Sequence, residues 1–280
     1  MTQLSNTTIL ITGAAGGFGQ ELVRQLLPRG NRLILTDIDE TVLLDVVSQI
    51  EQELSRSTAN MGQVLACLPA DLASKQGCDR LCIEVDALCR ASSLNVDVLI
   101  NNAGVALLGR MDEVPYERWE QLMQINLLSP MSLSAWFAKD MIARQQGHIV
   151  NIASVAGLIA PPGLGPYAAS KFGLRGFSEG LYNDLAEYNV KVSVVYPFFS
   201  RTPILKAPRY GRAAQQQADF DERRATDPVK VMQAMIRGIE QDRLHVYPDF
   251  PSGIIQILRR LFPDSSNRFM REAIARQQRS

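Results

Sequence analysis

The 280-residue chain has few of the side chains from which metal sites and disulfide frameworks are built. It contains two histidines and four cysteines, and no histidine lies near a cysteine in the sequence. The spacing of the cysteines also matches no common pair of zinc ligands. We therefore expect no metal, no disulfides, a reducing cytosol, and small apolar core positions at Cys67, Cys78, Cys82 and Cys89.

The chain also lacks an excess of charge of either sign and a long apolar run. Formal net charge is zero, from 29 basic and 29 acidic residues, which argues against a general nucleic-acid or membrane surface but leaves a local basic patch open. No segment approaches the ~20 apolar residues that a membrane-spanning helix needs, and the polar first eight residues lack an apolar targeting core. We expect a globular cytoplasmic protein.

Short runs rich in β-branched residues alternate with amphipathic stretches of helical length. This order predicts an α/β protein with a doubly wound, seven-stranded parallel sheet and helices on both faces. The predicted strands are 8–11, 32–35, 64–68, 98–100, 148–152, 191–195 and 244–247. The predicted helices are 17–28, 39–57, 75–93, 115–145, 167–188 and 228–241. No repeat or linker divides the chain, so we predict one domain over 1–280, with a core of about 6–250 and a helical extension over about 251–280.

The first predicted strand runs into a glycine-rich turn that precedes a helix. Gly13, Gly17 and Gly19 form a G-x-x-x-G-x-G pattern. Glycines allow a tight turn there, and they let the backbone approach a pyrophosphate at the positive end of the helix. The pattern favours a dinucleotide-binding turn over a plain strand-to-helix connection.

Asp37 ends the second predicted strand, eighteen residues after Gly19. A carboxylate at this place accepts hydrogen bonds from the adenosine ribose hydroxyls and repels a 2′-phosphate. No basic residue stands at Gly16 or Ile38 to offset that repulsion, so we expect NAD(H) to be preferred over NADP(H). The alternative is a helix N-cap, which Asp39 could equally provide.

Tyr167, Lys171 and Ser154 supply three polar groups at a spacing that chance rarely produces. On a helix, Tyr167 and Lys171 project from one face of neighbouring turns, where the ammonium favours the phenolate. A phenol titrates near ~10, so proton transfer near neutral pH requires a shift of roughly 3 units, about 4 kcal/mol. A bound cationic ring and exclusion of water would add to the effect of the lysine. By themselves, a tyrosine and a lysine at this spacing more often lie on an exposed helix face without a catalytic role.

With these motifs in order, the chain resembles the short-chain dehydrogenase/reductase family in its single-domain form, over about residues 6–250. The resemblance also covers Asp71, the turn from Asn101 through Asn102 and Ala103 to Gly104, and Asn126. It implies a Rossmann fold and an oxidoreductase that acts on CH–OH groups with NAD(P). The implied catalytic residues are Asn126, Ser154, Tyr167 and Lys171. Asn126 would bend its helix and hold a water linked to the lysine, with a buried hydrogen bond to backbone as the alternative.

The same resemblance implies the cofactor contacts. Asp71 and Leu72 would edge the adenine pocket, and Ser200 and Thr202 would bind the carboxamide. Phe198 stands where the family commonly has glycine, so the pocket beside the nicotinamide is expected to be reshaped. The full implied set is Gly13, Gly16, Gly17, Phe18, Gly19, Asp37, Asp71, Leu72, Asn102, Ala103, Gly104, Tyr167, Lys171, Pro197, Ser200 and Thr202.

The residues expected around the substrate are almost all apolar, and no arginine among them is placed to hold a carboxylate or phosphate. Those taken as substrate contacts are Ser154, Val155, Leu158, Pro162, Phe198 and Phe199. They predict an apolar secondary alcohol or ketone. Alternatively, these residues pack against one another and selectivity lies in the polar stretch 206–227, which is expected to be a mobile surface segment.

The C-terminal residues 253–280 carry six arginines against Asp264 and Glu272. Ile254, Leu258 and Leu261 are spaced as on one helical face, which is typical of a basic amphipathic helix on a membrane surface. A helix that caps the protein's own substrate cleft, or that of a neighbouring subunit, is favoured here because Pro263 interrupts the periodicity. A lipid- or steroid-directed reductase held at a membrane by this tail remains an alternative.

Two other function classes remain open. One is a catalytically silent nucleotide-sensing or scaffold protein, although such proteins usually lose the tyrosine or the lysine. The other is a sugar-nucleotide epimerase or dehydratase, which has a different glycine spacing and a larger C-terminal domain. The family resemblance further implies a homodimer or homotetramer that pairs through the helices at 115–145 and 167–188, and no nucleic-acid partner is expected.

Overall fold

The computed structural model describes residues 1–55, 61–216, 223 and 225–263. Within these residues the α/β prediction is confirmed: seven parallel strands form one sheet in the order β3-β2-β1-β4-β6-β7-β9. The strands of this sheet are β1 (Thr8–Thr12), β2 (Arg32–Asp37), β3 (Gln63–Pro69), β4 (Val98–Asn101), β6 (Gly147–Ile152), β7 (Val190–Val195) and β9 (His245–Val246). The helices are α1 (Gly17–Leu26), α2 (Glu40–Ser55), α3 (Lys75–Ser92), α4 (Tyr116–Met123), α5 (Ser129–Ala143), α6 (Gly165–Leu185), α7 (Arg212–Gln216), α8 (Pro228–Glu240) and α9 (Phe250–Leu261).

The central strands are buried along almost their whole length because helices cover both faces of the sheet. One core cluster contains residues of α1, α2 and α8, and the other contains residues of α3, α5 and the start of β7. Three cysteines of α3 are buried in the second cluster, at Cys78, Cys82 and Cys89. Burial raises the pKa of Cys82 to about 12, so this thiol stays neutral and packs as an apolar group.

The predicted helix 115–145 is not one regular helix. α4 ends at Met123, a π-helical turn covers Gln124–Leu128, and α5 begins at Ser129. The buried side chain of Asn126 lies in that turn, where it bonds to backbone outside the helix. Apolar periodicity identifies the helical stretch, but it does not show that one polar side chain interrupts the regular helix.

The polar stretch 206–227 contains short elements of secondary structure that the sequence did not predict. A second sheet has two short strands, β5 (Leu108–Gly109) and β8 (Arg209–Tyr210), which pair in parallel. The strand β5 follows β4 in the chain. Helix α7 follows β8 directly, and residues 217–222 and 224 lie outside the described residues. Two-residue strands have no periodicity to detect, so the sequence could not predict this small sheet.

The C-terminal extension forms α9, which confirms the predicted helical extension over its first part. Asp249 caps the helix, since its side chain accepts a hydrogen bond from the backbone N–H of Ser252, and Ser252 in turn donates to the Asp249 carbonyl. The helix ends before Pro263. Residues 264–280, with four of the six arginines, lie outside the described residues. In the described part of the chain, no helix combines the length and apolarity that a membrane span requires.

Candidate active site

The sequence-predicted residues meet along one edge of the seven-stranded sheet, where its parallel strands end. The strand order reverses between β1 and β4, and a crevice at such a reversal is the usual ligand site of an open α/β sheet. The glycine turn follows β1, Asp37 ends β2, Asn102 follows β4, and Ser154 follows β6. The fold therefore brings together groups that are far apart in the sequence.

The glycine turn is packed too tightly for side chains. A Cβ at Gly19 would lie 2.1 Å from the carbonyl oxygen of Gly13 and 2.6 Å from the Cα of Ala14. Gly13 itself has a positive φ of 66°. Helix α1 begins after Gly16 with no side-chain cap, so its positive end faces the crevice without a side-chain acceptor of its own. This arrangement fits the pyrophosphate of a dinucleotide.

Asp37 holds the same turn from the neighbouring strand. One carboxylate oxygen accepts from the backbone N–H of Ala15 at 2.9 Å, and the other accepts from that of Ile38 at 2.8 Å. Asp39 accepts from the backbone N–H of Val42 at 3.1 Å, so Asp39 has the capping position at the start of α2. The carboxylate of Asp37 thus remains at the crevice, with further acceptor capacity on both oxygens.

Asn102 fixes the turn after β4 to the glycine turn. Its amide nitrogen donates to the carbonyl oxygens of Thr12 and Gly13, each at 2.9 Å. The backbone N–H groups of Asn102 and Ala103 both donate to Oγ1 of Thr12 at 3.0 Å. The Asn102 side chain therefore holds together the two turns that follow β1 and β4 at the crevice.

Asn126 and Lys171 lie on either side of Gly104. A Cβ at Gly104 would be 3.3 Å from Oδ1 of Asn126 and 3.4 Å from Nζ of Lys171, so glycine leaves the space between them open. The Asn126 amide exchanges two hydrogen bonds with the backbone of Val105, at 2.9 and 2.8 Å, and also donates to Oγ of Ser170 at 3.1 Å. The structure therefore contains the buried hydrogen bonds to backbone that were the alternative role of Asn126.

Lys171 is almost fully buried, with 3% of its surface exposed. Its Nζ donates to the carbonyl oxygen of Ile152 at 2.8 Å, at the end of β6, and lies 5.8 Å from the centre of the Tyr167 ring. Burial lowers the pKa of Lys171 to about 8. The ammonium is therefore mostly charged at neutral pH, and it faces the tyrosine one helical turn away.

Tyr167 is half-buried. Burial raises the pKa of Tyr167 above its usual value, and the nearby hydroxyl of Ser154 opposes that rise. The Ser154 Oγ accepts from the backbone N–H of Ala156 at 3.1 Å, which fixes the serine beside the tyrosine. The phenol therefore holds its proton at neutral pH, and the lowering of its pKa that the sequence led us to expect from Lys171 is not found, because burial outweighs the groups that favour the phenolate.

The depressed pKa of Lys171 predicts a pH dependence of stability. Between pH 8 and about 10.5 the unfolded chain binds a proton that the folded chain has lost, so the free energy of unfolding rises with pH. The full rise attributable to this group is about 3 kcal/mol.

The measurement is urea unfolding of wild type and Lys171→Met from pH 7 to pH 10, because the difference between the two curves removes the titration of other groups. A difference that stays flat or falls with pH would contradict the burial of a charged lysine at this place.

The turn after β7 carries the residues expected at the carboxamide. Ser200 is buried, and its hydroxyl bonds the carbonyl oxygen of Phe198 at 3.1 Å and Oγ1 of Thr226 at 2.7 Å. The side chain of Thr202 covers the start of α1, 2.8 Å from the point where a Cβ on Gly17 would lie. Thr202 therefore borders the crevice, whereas the Ser200 side chain holds the turn together.

The other implied cofactor contacts lie nearby with different degrees of exposure. Asp71 is exposed and accepts from the backbone N–H of Ala73 at 2.9 Å, whereas Leu72 is buried. Ser129, which the sequence did not single out, donates to the carbonyl oxygen of Leu72 at 2.6 Å and fixes this corner to the start of α5. Phe18 is half-buried against the core, and Pro197 is buried.

The apolar residues expected around the substrate differ in how much of their surface is exposed. Leu158 is buried in a core cluster with Val194 and Tyr196, and Val155 is also buried, so both lie behind the site surface. Phe198 and Phe199 are half-buried and pack edge to face, with ring centres 5.1 Å apart. Pro162 is exposed. The two phenylalanines thus offer more surface to a ligand than the two aliphatic side chains.

A pocket of about 170 Å³ lies on the side of the small two-stranded sheet, and sequence reasoning missed it. It is lined by Val105, Ala106, Leu107, Arg118, Gln121, Leu122, Pro208 and Tyr210. Leu107 and Leu122 belong to a cluster against which Tyr167 and Tyr210 pack, so the pocket adjoins the tyrosine. No single segment of the sequence carries its signal, because it forms only where β5, α4 and β8 meet. Its Arg118 and Gln121 add polar groups to surroundings that were expected to be apolar.

Comparison with known proteins decides the family. A profile described as short chain dehydrogenase matches residues 7–212. The chain belongs to this family. It is therefore an NAD(P)-dependent oxidoreductase, of a family that acts on small alcohols and ketones. Among similar proteins, a CLA biosynthesis dehydrogenase/reductase from Lactiplantibacillus plantarum is 33% identical over 85% of this chain and 78% of its own length.

Solved structures agree on the fold and differ in cofactor. A short-chain dehydrogenase/reductase from Burkholderia phymatum in complex with NAD has a TM-score of 0.77 and 26% identity, over 93% of this chain and 95% of its own. A short-chain dehydrogenase from Sphingobium yanoikuyae in complex with NADPH has a TM-score of 0.74 and 25% identity, over 92% and 96%. Similarity therefore supports either cofactor and indicates no preference.

Proposed function

We propose that this dehydrogenase interconverts an apolar secondary alcohol and its ketone, with Tyr167 as the group that transfers the proton. The observation that supports this most is the meeting of three side chains at one place. The hydroxyl of Ser154 is near enough to Tyr167 to lower its pKa, and the buried ammonium of Lys171 lies 5.8 Å from the centre of the tyrosine ring. All three lie at the carboxyl end of the sheet, where the glycine turn offers a dinucleotide site.

In the reductive direction, Ser154 and Tyr167 hold the substrate carbonyl oxygen, and Tyr167 gives it a proton as negative charge develops there. A bound nicotinamide supplies or accepts the hydride. The raised pKa of Tyr167 suits this donor role, because the phenol is protonated at neutral pH. In the oxidative direction the phenolate takes the proton back, and Lys171 together with a cationic ring nearby stabilises that phenolate.

Lys171 and Asn126 support the tyrosine. The ammonium already donates to Ile152, and its remaining donors can reach ribose hydroxyls and a water. The Oδ1 of Asn126 accepts from Val105 and has a second lone pair on the side that faces the open space beside Gly104. A water in that space would connect the two residues and complete the proton relay.

Asp37 carries the proposed preference for NAD(H), because its carboxylate faces the crevice and repels a 2′-phosphate. The variant Asp37→Asn removes the charge and keeps an oxygen for the N–H of Ala15. We expect the ratio of kcat/KM for NADH over NADPH to fall by about tenfold or more, which corresponds to about 1.4 kcal/mol.

The control for this measurement is Asp39→Asn, which makes the same change two residues away at a helix cap and should leave the ratio within about twofold. An unchanged ratio in Asp37→Asn would mean that another group selects the cofactor.

The proposed substrate follows from the surfaces beside Tyr167. Phe198 and Phe199 form one apolar wall, and Leu107 with Tyr210 forms another beside the 170 Å³ pocket. The same pocket is also lined by the polar side chains of Arg118 and Gln121, so a ligand there meets both kinds of surface. We infer an apolar body next to the reacting carbon, with selectivity shared by the segment 206–216.

The proposal is tested by incubating the full chain with a panel of apolar secondary alcohols and ketones, with NAD(H) and NADP(H) in parallel. Nicotinamide absorbance reports turnover directly. A higher rate of turnover with apolar ketones than with short polar ketones supports the proposed substrate class. Absence of any redox change, with cofactor bound, would favour the nucleotide-sensing or scaffold alternative.

Further parts of the proposal concern the assembly and its place in the cell. Gly176 and Gly180 on α6 have open space at their Cβ positions, and Leu128 and Phe172 are exposed nearby. This flat face suits the pairing of two copies through α4, α5 and α6, in a cytoplasmic homodimer or homotetramer. Light scattering of the wild-type protein tests the assembly, and a mass of one chain would exclude it.

A further inference from the structure

Helix α9 turns its most apolar side away from the protein. The side chains on that side are exposed by 38% at Ile254 to 81% at Phe250. Their spacing of four, three, one and three residues places them on one helical face, here called the α9 face: Phe250, Ile254, Ile257, Leu258 and Leu261. The inward side is more polar, with Ser252 buried and Gln256 and Arg259 half-buried beside Ile255. A helix of a soluble protein normally has the opposite orientation.

The charge around the α9 face is positive. No acidic residue occurs from Phe250 to Phe262, and Arg259 and Arg260 lie at the end of the helix. In sequence, the chain after the helix adds four more arginines against two acidic residues. A partner that covers this face should therefore combine an apolar surface with negative charge.

We propose that the α9 face binds the interfacial layer of an anionic phospholipid bilayer. Twelve residues form a helix of about 18 Å, which can lie in the membrane plane with its apolar side chains below the headgroups. Arg260, which is exposed at the end of the helix, then meets lipid phosphates, and Phe250 and Phe262 lie at the two ends of the helix. Formal neutrality of the whole chain does not oppose this, because the positive charge is local.

A second copy of the chain is a less suitable partner. Another α9 face would cover the apolar side chains, but it carries no acidic residue to pair with Arg259 and Arg260. The bilayer supplies both the apolar layer and the anions. The oligomeric alternative remains measurable, and it is one arm of the test.

The helix is also attached to the candidate active site. One oxygen of Asp249 accepts from Ser252 at the start of α9, and the other accepts from the backbone N–H of Phe198 at 2.9 Å. Ile255 packs against the core cluster that contains Leu158. Membrane binding would therefore place the Phe198 wall near the lipid from which an apolar substrate is drawn. Only this last point rests on the proposed function.

The test is cosedimentation of the full chain with phosphatidylcholine vesicles, with and without about 30 mol% phosphatidylserine. We expect at least tenfold stronger binding to the anionic vesicles, and a loss of about tenfold in about 0.5 M salt. The double variant Ile257→Glu with Leu261→Glu should lose at least tenfold in binding. The control is Ile83→Glu on α3, since Ile83 is 56% exposed and Ile257 53%, and it should bind as wild type does.

Several results would overturn the proposal. One is absence of binding to anionic vesicles, and another is equal binding by wild type and the double variant. A third is that the wild type does not bind vesicles and the double variant has a lower mass than the wild type by light scattering. That result would mean that the α9 face binds a second copy of the chain. Turnover of a water-soluble substrate should be retained in all three proteins, so failure of membrane binding is distinguishable from failure of the proposed chemistry.

Discussion

Tyr167→Phe is expected to lower kcat by at least about 10²-fold, while the dissociation constant for NADH stays within about threefold of wild type. The substitution removes only the hydroxyl, which lies near Ser154, and keeps the ring that packs against Leu107 and Leu122. The proton donor is therefore lost and the fold is kept. The measurement is steady-state turnover together with fluorescence titration of NADH.

A matched control for this change lies on the same helix. Tyr182 is 39% exposed on α6, so Tyr182→Phe should leave both turnover and NADH binding unchanged. If Tyr167→Phe keeps more than roughly a tenth of wild-type turnover, the proton comes from another group and the assigned mechanism is wrong. If NADH binding is lost as well, the effect is structural and does not report on proton transfer.

Gly19→Ala is expected to raise the dissociation constant for NADH by about 10²-fold, because a methyl group has no space at this position. Its nearest neighbours are backbone atoms, the Gly13 oxygen at 2.1 Å and the Ala14 Cα at 2.6 Å, which cannot rotate away. The turn must open, and the backbone then no longer approaches a pyrophosphate at the start of α1. The measurement is a fluorescence titration of NADH, with near-ultraviolet circular dichroism to confirm that the variant folds.

Gly253→Ala is the control for this change, because a Cβ at Gly253 meets no atom within 4 Å. The helix α9 also tolerates alanine better than glycine. NADH binding in this control should equal that of the wild type. An affinity within about threefold of wild type in Gly19→Ala would mean that the glycine turn does not form the cofactor site.

The sequence predicted the elements on which the site depends because their signals are local. β-branched runs identified all seven strands of the main sheet, and the glycine pattern located the turn after β1. The spacing of Tyr167 and Lys171, four residues apart on one helix, was enough to predict that their side chains lie close together. The division into a core and an extension, and the roles of the individual site residues, stay predictions.

Where the sequence failed, the deciding contacts lie between distant segments. The regular helix is interrupted after Met123, where the side chain of Asn126 bonds to the backbone of Val105. The strand β8 in the stretch after Lys206 forms because it pairs with β5, which is about 100 residues earlier in the chain. The 170 Å³ pocket combines side chains from three segments, and the periodicity of the one helix among them does not show which other segments pack beside it.

The tertiary structure also decided which side of α9 faces outward. The sequence gives only the spacing of its apolar residues, and a helix with that spacing is usually turned inward. The hydrogen bonds of Asp249 to Phe198 and Ser252 fix the start of the helix, and with it the direction of every later side chain.

By itself, then, the sequence determined the fold class and the family, and it predicted the roles of the tyrosine, serine and lysine, because these signals lie in short stretches of the chain. The tertiary structure decided what depends on distance in space: the burial that lowers the pKa of Lys171, the two roles of Asp37 and Asp39, and the outward α9 face. A pattern of residues reports on its own neighbourhood in the chain, whereas burial and orientation are set by packing against segments that the pattern does not contain.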